Sequence, residues 1–257
     1  MKKLILDLIL KKNIRLNEQV YLLIFSSEKG LPEILPGQFA QVKINDSPAT
    51  FLRRPFSVNF VDYENNELWL LIQVVGAGTL KLSETSPGAS VNMILPLGNS
   101  FSFPDEKKDE KILLIGGGSG IAPLLFFGSW LFDAGFSPEF LIGARSSIHL
   151  VEVEEFKKYG NVYITTEDGT EGEKGFVTDH SILKKRNYDR IYSCGPTPMM
   201  KAVGAYAENN NIFCEVSLEN TMGCGIGACL CCVTDTTQGR VCVCTEGTVF
   251  NIEKLKW

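Results

Sequence analysis

Between residues 1 and 104, short runs of alternating apolar and polar residues recur at Gln19–Phe25, Phe39–Ile44 and Leu68–Val75. Turn-forming pairs separate them at Pro36-Gly37, Asn65-Asn66 and Pro87-Gly88. A period of two puts one face of each run on a core and the other in water. Runs of this length and spacing predict an all-β domain, a sandwich or small barrel. The next seven residues, Asp105–Lys111, are all charged and read as a solvated connector.

Beyond it the rhythm changes. Apolar strand-like runs at Ile112–Ile115, Phe140–Gly143, Val162–Thr165 and Arg190–Ser193 alternate with helix-like segments. Those segments are Pro123–Phe132, Val151–Tyr159, Asp179–Lys185 and Pro198–Asn209. Such alternation predicts a parallel sheet with right-handed crossovers. The segment from Cys214 to Trp257 breaks the pattern, being short, cysteine-dense and rich in glycine. It is too small to fold on apolar burial alone, so a metal centre is expected to staple it. The expected organisation is multi-domain: a β domain over 1–104, an α/β parallel-sheet domain over 105–212 and a small metal domain over 213–257.

Composition narrows the function classes. With 44% hydrophobic and 21% charged residues, the chain reads as an ordinary globular protein with a real core. Its net charge is −5 and no lysine/arginine cluster of the kind that makes a basic face appears, which argues against nucleic-acid binding. The apolar run Leu4–Leu10 is broken by Asp7 and ended by Lys11 without a small-residue cleavage site; a secretory signal is not expected. The apolar stretch Ile121–Phe132 is far short of the ~18–20 residues that span a bilayer. A cytoplasmic protein without membrane contact is expected. Seven of the eight cysteines lie within 213–257. Without an export signal, metal binding is a better account of them than disulfides.

Gly116-Gly117-Gly118-Ser119-Gly120-Ile121-Ala122-Pro123 follows a predicted strand and opens a predicted helix. Glycines let the backbone approach a pyrophosphate, and the helix N-terminus offers free N–H groups. Pro123 suits the first helical turn, where no N–H is needed. The spacing resembles the G-G-x-G-x-x-P turn of the ferredoxin–NADP reductase family, which holds the nicotinamide dinucleotide. Three further motifs carry the resemblance. Arg54-Pro55-Phe56-Ser57 is similar to the family's R-x-x-S flavin motif, with the arginine on the FAD pyrophosphate and the serine on the flavin. Gly76-Ala77-Gly78-Thr79 resembles its G-x-G-T phosphate element, whose N–H groups and hydroxyl bind the FAD phosphates. The strand before it contributes Leu71, Ile72 and Gln73 as flavin-contacting positions. Cys194-Gly195-Pro196 with Met199 resembles its C-G-P-x-x-M turn near the nicotinamide. The resemblance implies that 1–104 is an antiparallel FAD barrel and 105–212 a NAD domain.

After the third strand of the predicted sheet the sequence reads Thr165-Thr166-Glu167-Asp168-Gly169. A carboxylate such as Asp168 repels a 2′-phosphate and accepts hydrogen bonds from ribose hydroxyls, which favours NAD. Arg145-Ser146-Ser147, one strand earlier, is the feature that would favour NADP.

Cys224, Cys229 and Cys232 form C-x4-C-x2-C, the plant-type [2Fe–2S] spacing, with Cys242 or Cys244 as fourth ligand. Zinc sites favour repeated C-x2-C pairs, which the loop lacks, and the two histidines, His149 and His180, are remote in sequence. On a strand, Cys242 and Cys244 would face the same side, so periodicity does not choose between them. Ser217–Cys229 closely resembles the cluster loop of the electron-transfer subunits of type B dihydroorotate dehydrogenases. That family ends its motif with C-x-x-G-x-V-F, matched here by Cys244–Phe250, and the resemblance therefore selects Cys244. Thr248 stands where family members often carry proline.

The resemblance implies a [2Fe–2S] domain over 213–257 and an electron-transfer role in pyrimidine (UMP) biosynthesis. A partner subunit with FMN would oxidise dihydroorotate, in a heterotetramer of two copies of each chain. Electrons would pass through the [2Fe–2S] cluster and FAD to NAD+. No side chain is expected to act as a general base. Related FAD/[2Fe–2S] subunits of hydrogenases, sulfide-oxidising complexes and ferredoxin:NADP reductases are the alternative. A non-enzymatic iron–sulfur redox sensor is a second one, opposed by the intact Arg54, Ser57, Thr79 and Gly116–Gly120. Cys231 breaks the x2 spacing and is expected to be a small buried hydrophobe rather than a ligand, and Cys214, Cys242 and Trp257 receive no role from the sequence.

Overall fold

The computed structural model describes residues 2–45, 50–104, 109–185 and 187–257. The chain divides into two compact units. The first comprises Met1–Ser100, Asn220–Thr234 and Arg240–Thr248; the second comprises Phe101–Glu219, Asp235–Gly239 and Val249–Trp257.

The first unit holds β1 (Leu4–Arg15), β2 (Val20–Ser26), β3 (Phe39–Val42), β4 (Arg54–Asp62), β5 (Glu67–Gln73), α1 (Ala77–Ser83) and β6 (Ser90–Leu97). The strands close into an antiparallel barrel in the order β1-β2-β5-β4-β3-β6. Closure leaves no free sheet edge. Leu8, Leu10, Leu23, Phe25, Val58, Leu70 and Met93 are inaccessible to solvent, the apolar faces that the alternation demanded. The N-terminal run is a twelve-residue strand pairing with both β2 and β6. Its register slips between Leu10 and Lys12. The run expected over Leu68–Val75 ends at Gln73. Beyond it the Val75 N–H turns to the Thr79 hydroxyl at 2.9 Å, and the Val75 side chain stands in solvent.

The second unit begins with β7 (Ile112–Gly117), α2 (Ala122–Asp133), β8 (Glu139–Ala144), α3 (Val153–Phe156) and β9 (Asn161–Thr166). It continues with β10 (Glu173–Lys174), α4 (Ile182–Lys185), β11 (Arg190–Cys194), α5 (Thr197–Asn209) and β12 (Phe213–Ser217). After β12 the chain passes through the cysteine loop, the hairpin of β13 (Val233–Thr236) and β14 (Gly239–Cys242) and the single-turn α6 (Val243–Glu246), most of which belong to the first unit, and then forms β15 (Val249–Asn251) of the second. The sheet order is β10-β9-β8-β7-β11-β12-β15. All pairs are parallel except β12 with β15. This is the expected α/β architecture. The helix expected at Val151–Tyr159 is a single turn, and it starts no earlier than Val153 because Glu152, at φ 57°, sits in the left-handed region. The helix expected at Asp179–Lys185 is split by His180, whose ψ of 133° is extended.

Asp105–Lys108 of the charged run lie outside the described residues. The rest is not simply solvated: Glu110 Oε2 meets Arg190 Nε at 2.5 Å, both side chains largely buried. The expected boundary at 212/213 falls just ahead of β12, which pairs with β11 in the sheet. No helix among the described residues is long and apolar enough to cross a membrane.

Candidate cofactor sites

In the first unit, β4 and β5 pair from Asp62↔Glu67 to Val58↔Leu70, where the ladder ends. Both strands run on past that point, β4 as Arg54–Ser57 and β5 as Leu71–Gln73. The flavin positions expected from the sequence thus flank the place where the barrel wall parts. Arg54, Pro55, Phe56 and Ser57 are all half-buried. The side chains of Leu71 and Ile72 are buried in the core, so these two residues can offer only backbone outward. Gln73 is half-buried and pairs with Val20.

The Arg54 guanidinium lies over Gly78. A Cβ there would stand 3.2 Å from Nε and 3.5 Å from Nη2. Arg54 Nη1 donates to the Leu52 carbonyl at 2.8 Å. A forked cation beside a glycine turn suits a diphosphate. The Thr79 hydroxyl accepts from Val75 and Gly76 N–H and donates to the Gly76 carbonyl at 3.0 Å. Its proton closes the turn into α1 and both lone pairs are taken by N–H groups, so the hydroxyl as placed has no donor left for a phosphate, and the backbone N–H groups are what this turn can offer one.

In the second unit, β7 and β11 lie side by side, and the strand order reverses between them. Their C-terminal ends are therefore the crevice where open α/β sheets bind ligands. Gly116 and Gly117 close β7, and Gly118–Ile121 form a 3-10 turn leading into α2. Two glycine contacts interlock this turn with Cys194-Gly195-Pro196. A Cβ on Gly120 would stand 2.4 Å from Gly195 Cα, and one on Gly117 would stand 2.6 Å from Met199 Sδ. Gly118, at φ 57°, faces open space instead, the free N–H surface a pyrophosphate needs. Ser119 is half-buried beside it. Cys194 is inaccessible to solvent. Burial and then the charge of Glu219 push its thiol well above the ordinary range, so it packs the turn as a thiol and is no nucleophile.

Asp168 follows β9, at the same C-terminal edge of the sheet. Its Oδ1 accepts from the Thr170 hydroxyl at 2.7 Å and the Thr170 N–H at 3.0 Å. Those bonds hold the carboxyl below its usual range, so it is ionised and oriented at neutral pH. Its own N–H goes to the Arg145 carbonyl at 3.2 Å.

The cysteine loop belongs to the first unit. Gly225, Gly227 and Leu230 have φ of 71°, 83° and 57°, left-handed turns that aim successive N–H groups inward. Cys224 Sγ accepts from the N–H groups of Ile226, Ala228 and Cys229 at 3.3–3.4 Å. Cys244 Sγ accepts from Gly227 at 3.2 Å, and the Cys244 N–H points at Cys232 Sγ at 3.4 Å. Burial pushes the Cys224 thiol up, but the N–H groups of Ile226, Cys229 and Ala228 outweigh it and bring the thiol down to about 6. Cys244 is pushed up to about 12, by burial and then by Cys232.

Two expectations are corrected here. Cys242 and Cys244 do not share a strand, because β14 ends at Cys242 and α6 begins at Val243. The helical turn buries Cys244 beside Gly227 and Cys232 and leaves Cys242 half-exposed. Cys231 is exposed and not the buried hydrophobe expected, because it lies on the solvent side of the loop, and Cys214 is a buried core residue of β12. Among the described residues no group of three or more His, Cys, Asp or Glu is gathered as a site for a single metal ion. The fit to a cluster lies in the donor set and the inward N–H groups, which suit sulfide and thiolate charge. Two residues that received no site role from the sequence, Thr248 and Asn99, anchor the segment after Cys244. The Thr248 hydroxyl donates to the Gly37 carbonyl at 2.9 Å, and the Asn99 N–H donates to the Gly247 carbonyl at 2.5 Å. Thr248 already stood out as a departure from the usual proline.

Residues 219–256 match the iron–sulfur cluster binding domain of dihydroorotate dehydrogenase B, and residues 114–205 match the oxidoreductase NAD-binding domain. A protein of Shouchella clausii, a dihydroorotate dehydrogenase B (NAD(+)) electron transfer subunit, is 38% identical to this chain. The match covers 84% of this chain and 85% of the relative. The chain belongs to that family. A second electron transfer subunit, from Bacillus velezensis, is 34% identical over 96% of this chain and 97% of its own length. Among solved structures, the NADH-dependent reduced ferredoxin-NADP oxidoreductase matches this electron transfer subunit with a TM-score of 0.87. It is 29% identical, with 98% of this chain and 90% of that chain covered.

Proposed function

We propose that this electron transfer subunit links an FMN-containing dihydroorotate dehydrogenase catalytic subunit to NAD+ in pyrimidine biosynthesis, in the cytoplasm and as a heterotetramer. In this reading residues 1–104 hold FAD, 105–212 hold NAD and 213–257 hold a [2Fe–2S] cluster. Arg54 and the backbone at Gly78 and Thr79 take the FAD diphosphate. Pro55, Phe56, Ser57 and Leu71–Gln73 border the flavin. Gly116–Gly120 take the dinucleotide pyrophosphate, Asp168 the adenosine ribose, and Cys194, Gly195, Pro196 and Met199 shape the nicotinamide end. Cys224, Cys229, Cys232 and Cys244 are the cluster ligands. When bound, the flavin and cluster supply one- and two-electron chemistry and the nicotinamide exchanges hydride. The protein's own work is to bind, orient and exclude water; no side chain has to act as a general base.

The observation that carries this reading is the cysteine loop, in which five N–H groups aim at the sulfurs of three of the four proposed ligands. Simple flavin reductases have no use for such a loop. The ferredoxin reductase reading draws on the whole-chain likeness to the ferredoxin-NADP oxidoreductase. The higher identity to dihydroorotate dehydrogenase B subunits favours the first reading. The deciding experiment is the visible spectrum of the anaerobic chain before and after NADH. Flavin bands and a broad [2Fe–2S] envelope, both bleached by NADH, are the expected result. Flavin alone, with zinc in the metal analysis, would sink the cluster and the dihydroorotate reading together. Copurification with an FMN-containing β/α-barrel subunit separates the two partner readings.

A further inference from the structure

Gln41 occupies a position in the barrel wall where its amide meets no partner among the described residues. On β3, alternate residues face opposite ways. Gln41 lies on the same side as Phe39, whose ring packs where a Cβ on Gly98 would stand. Gln41 is inaccessible to solvent, and neither Nε2 nor Oε1 has a hydrogen-bond partner among the described residues. Its backbone carbonyl is occupied, accepting from Arg53 Nη1 at 3.3 Å; the side-chain amide alone is idle. An unpaired amide in a protein interior is costly, and such a group in a native fold is satisfied by something.

The amide is pressed against the cysteine loop. A Cβ on Gly225 would stand 2.5 Å from Gln41 Cγ and 2.9 Å from Nε2. Gly225, at φ 71°, directly follows Cys224. The missing side chain and the left-handed backbone together let the loop close on the glutamine head. Among the described residues, the N–H groups that reach the Cys224 sulfur come from the loop itself, from Ile226, Ala228 and Cys229. Gln41 is a donor of the same kind arriving from the barrel.

We propose that Gln41 Nε2 donates a hydrogen bond to sulfur on the Cys224 side of the bound [2Fe–2S] cluster and so raises its reduction potential. An N–H dipole aimed at cluster sulfur favours the more negative, reduced state. Gln41 is thus a tuning residue set in the barrel wall. The inference rests on Cys224 being a cluster ligand.

The test uses the full chain with its cofactors, prepared anaerobically with 15N in the glutamine side-chain amides and reduced with dithionite. Pulsed electron paramagnetic resonance should show a 15N coupling to the reduced cluster, and Gln41→Met should abolish it. In an equilibrium redox titration, Gln41→Met should move the cluster midpoint to lower potential and leave the FAD midpoint in place. Gln41→Leu serves as a second variant if the first loads its cluster poorly. A cluster signal without glutamine coupling in the unsubstituted protein overturns the inference. So does an unchanged cluster midpoint in a fully loaded variant, even one of lower thermal stability, because that outcome leaves Gln41 a packing role only. Absence of any [2Fe–2S] signal in the unsubstituted protein overturns the cluster assignment itself, and the inference with it.

Discussion

The turn Gly116–Gly120 and the loop Cys224–Cys229 are both rich in glycine, but the glycines serve different ends. In the turn, Gly117 and Gly120 are small because backbone and side-chain atoms of the neighbouring turn already occupy the space. Protein contacts alone fix its shape, as buried, close-packed structure generally does. In the loop, Gly225 and Gly227 bend the chain so that N–H groups converge on sulfur. Part of that loop is exposed, including Ile226 and Cys229. Its polar groups make sense only with an inorganic centre among them. One site is therefore built before its ligand arrives, and the other is completed by it.

The largest expected effect tests the loop. Cys224→Ser should abolish nearly all cluster absorbance and acid-labile sulfide while FAD stays bound, measured by spectrum and iron content. A cluster of undiminished intensity would end the claim that Cys224 is a ligand. Cluster removal by chelator and oxidant should strip amide-exchange protection from 223–232 and leave 112–121 protected. Equal loss in both regions would erase the contrast. In the turn, Gly120→Ala forces a methyl against the Gly195 backbone. It should lower unfolding stability by roughly 1–3 kcal/mol or more in urea melts, the usual cost of overpacking. Gly118→Ala meets no atoms and should cost only the strain of a left-handed alanine, roughly 1–2 kcal/mol. Arg54→Ala should weaken FAD binding by roughly 1.5–3 kcal/mol, the scale of a charged hydrogen bond, read by flavin fluorescence titration with the barrel still folded. Smallest is Asp168→Ser, which should narrow the preference of the apparent KM for NADH over NADPH while kcat with NADH holds.

How much of this was legible beforehand follows the same division. The nucleotide turn could be read because a strand, a glycine run and a first-turn proline are local signals, and the parallel sheet followed from the alternation around it. Barrel strand β1 was hidden because Lys11 and Lys12 sit beside its register shift, where alternation fails. The choice between Cys242 and Cys244 was invisible to periodicity because one helical turn, too short to announce itself, begins between them. Gln41 was invisible for a different reason. Nothing in a strand pattern tells a buried amide from a buried leucine, and only the loop packed against it from almost two hundred residues later gives it meaning.

The strand β15 returns antiparallel to β12, with Ser217 opposite Val249. The whole cysteine excursion therefore starts and finishes on neighbouring strands about 5 Å apart. In effect it is a stem-loop whose stem is part of the sheet. Closing a loop whose ends are already held costs little extra entropy as the loop lengthens. A redox module on such a stem can be resized, exchanged or removed down to a simple hairpin while the sheet beneath keeps its register. That would let one reductase scaffold gain or lose an electron port without being refolded around it.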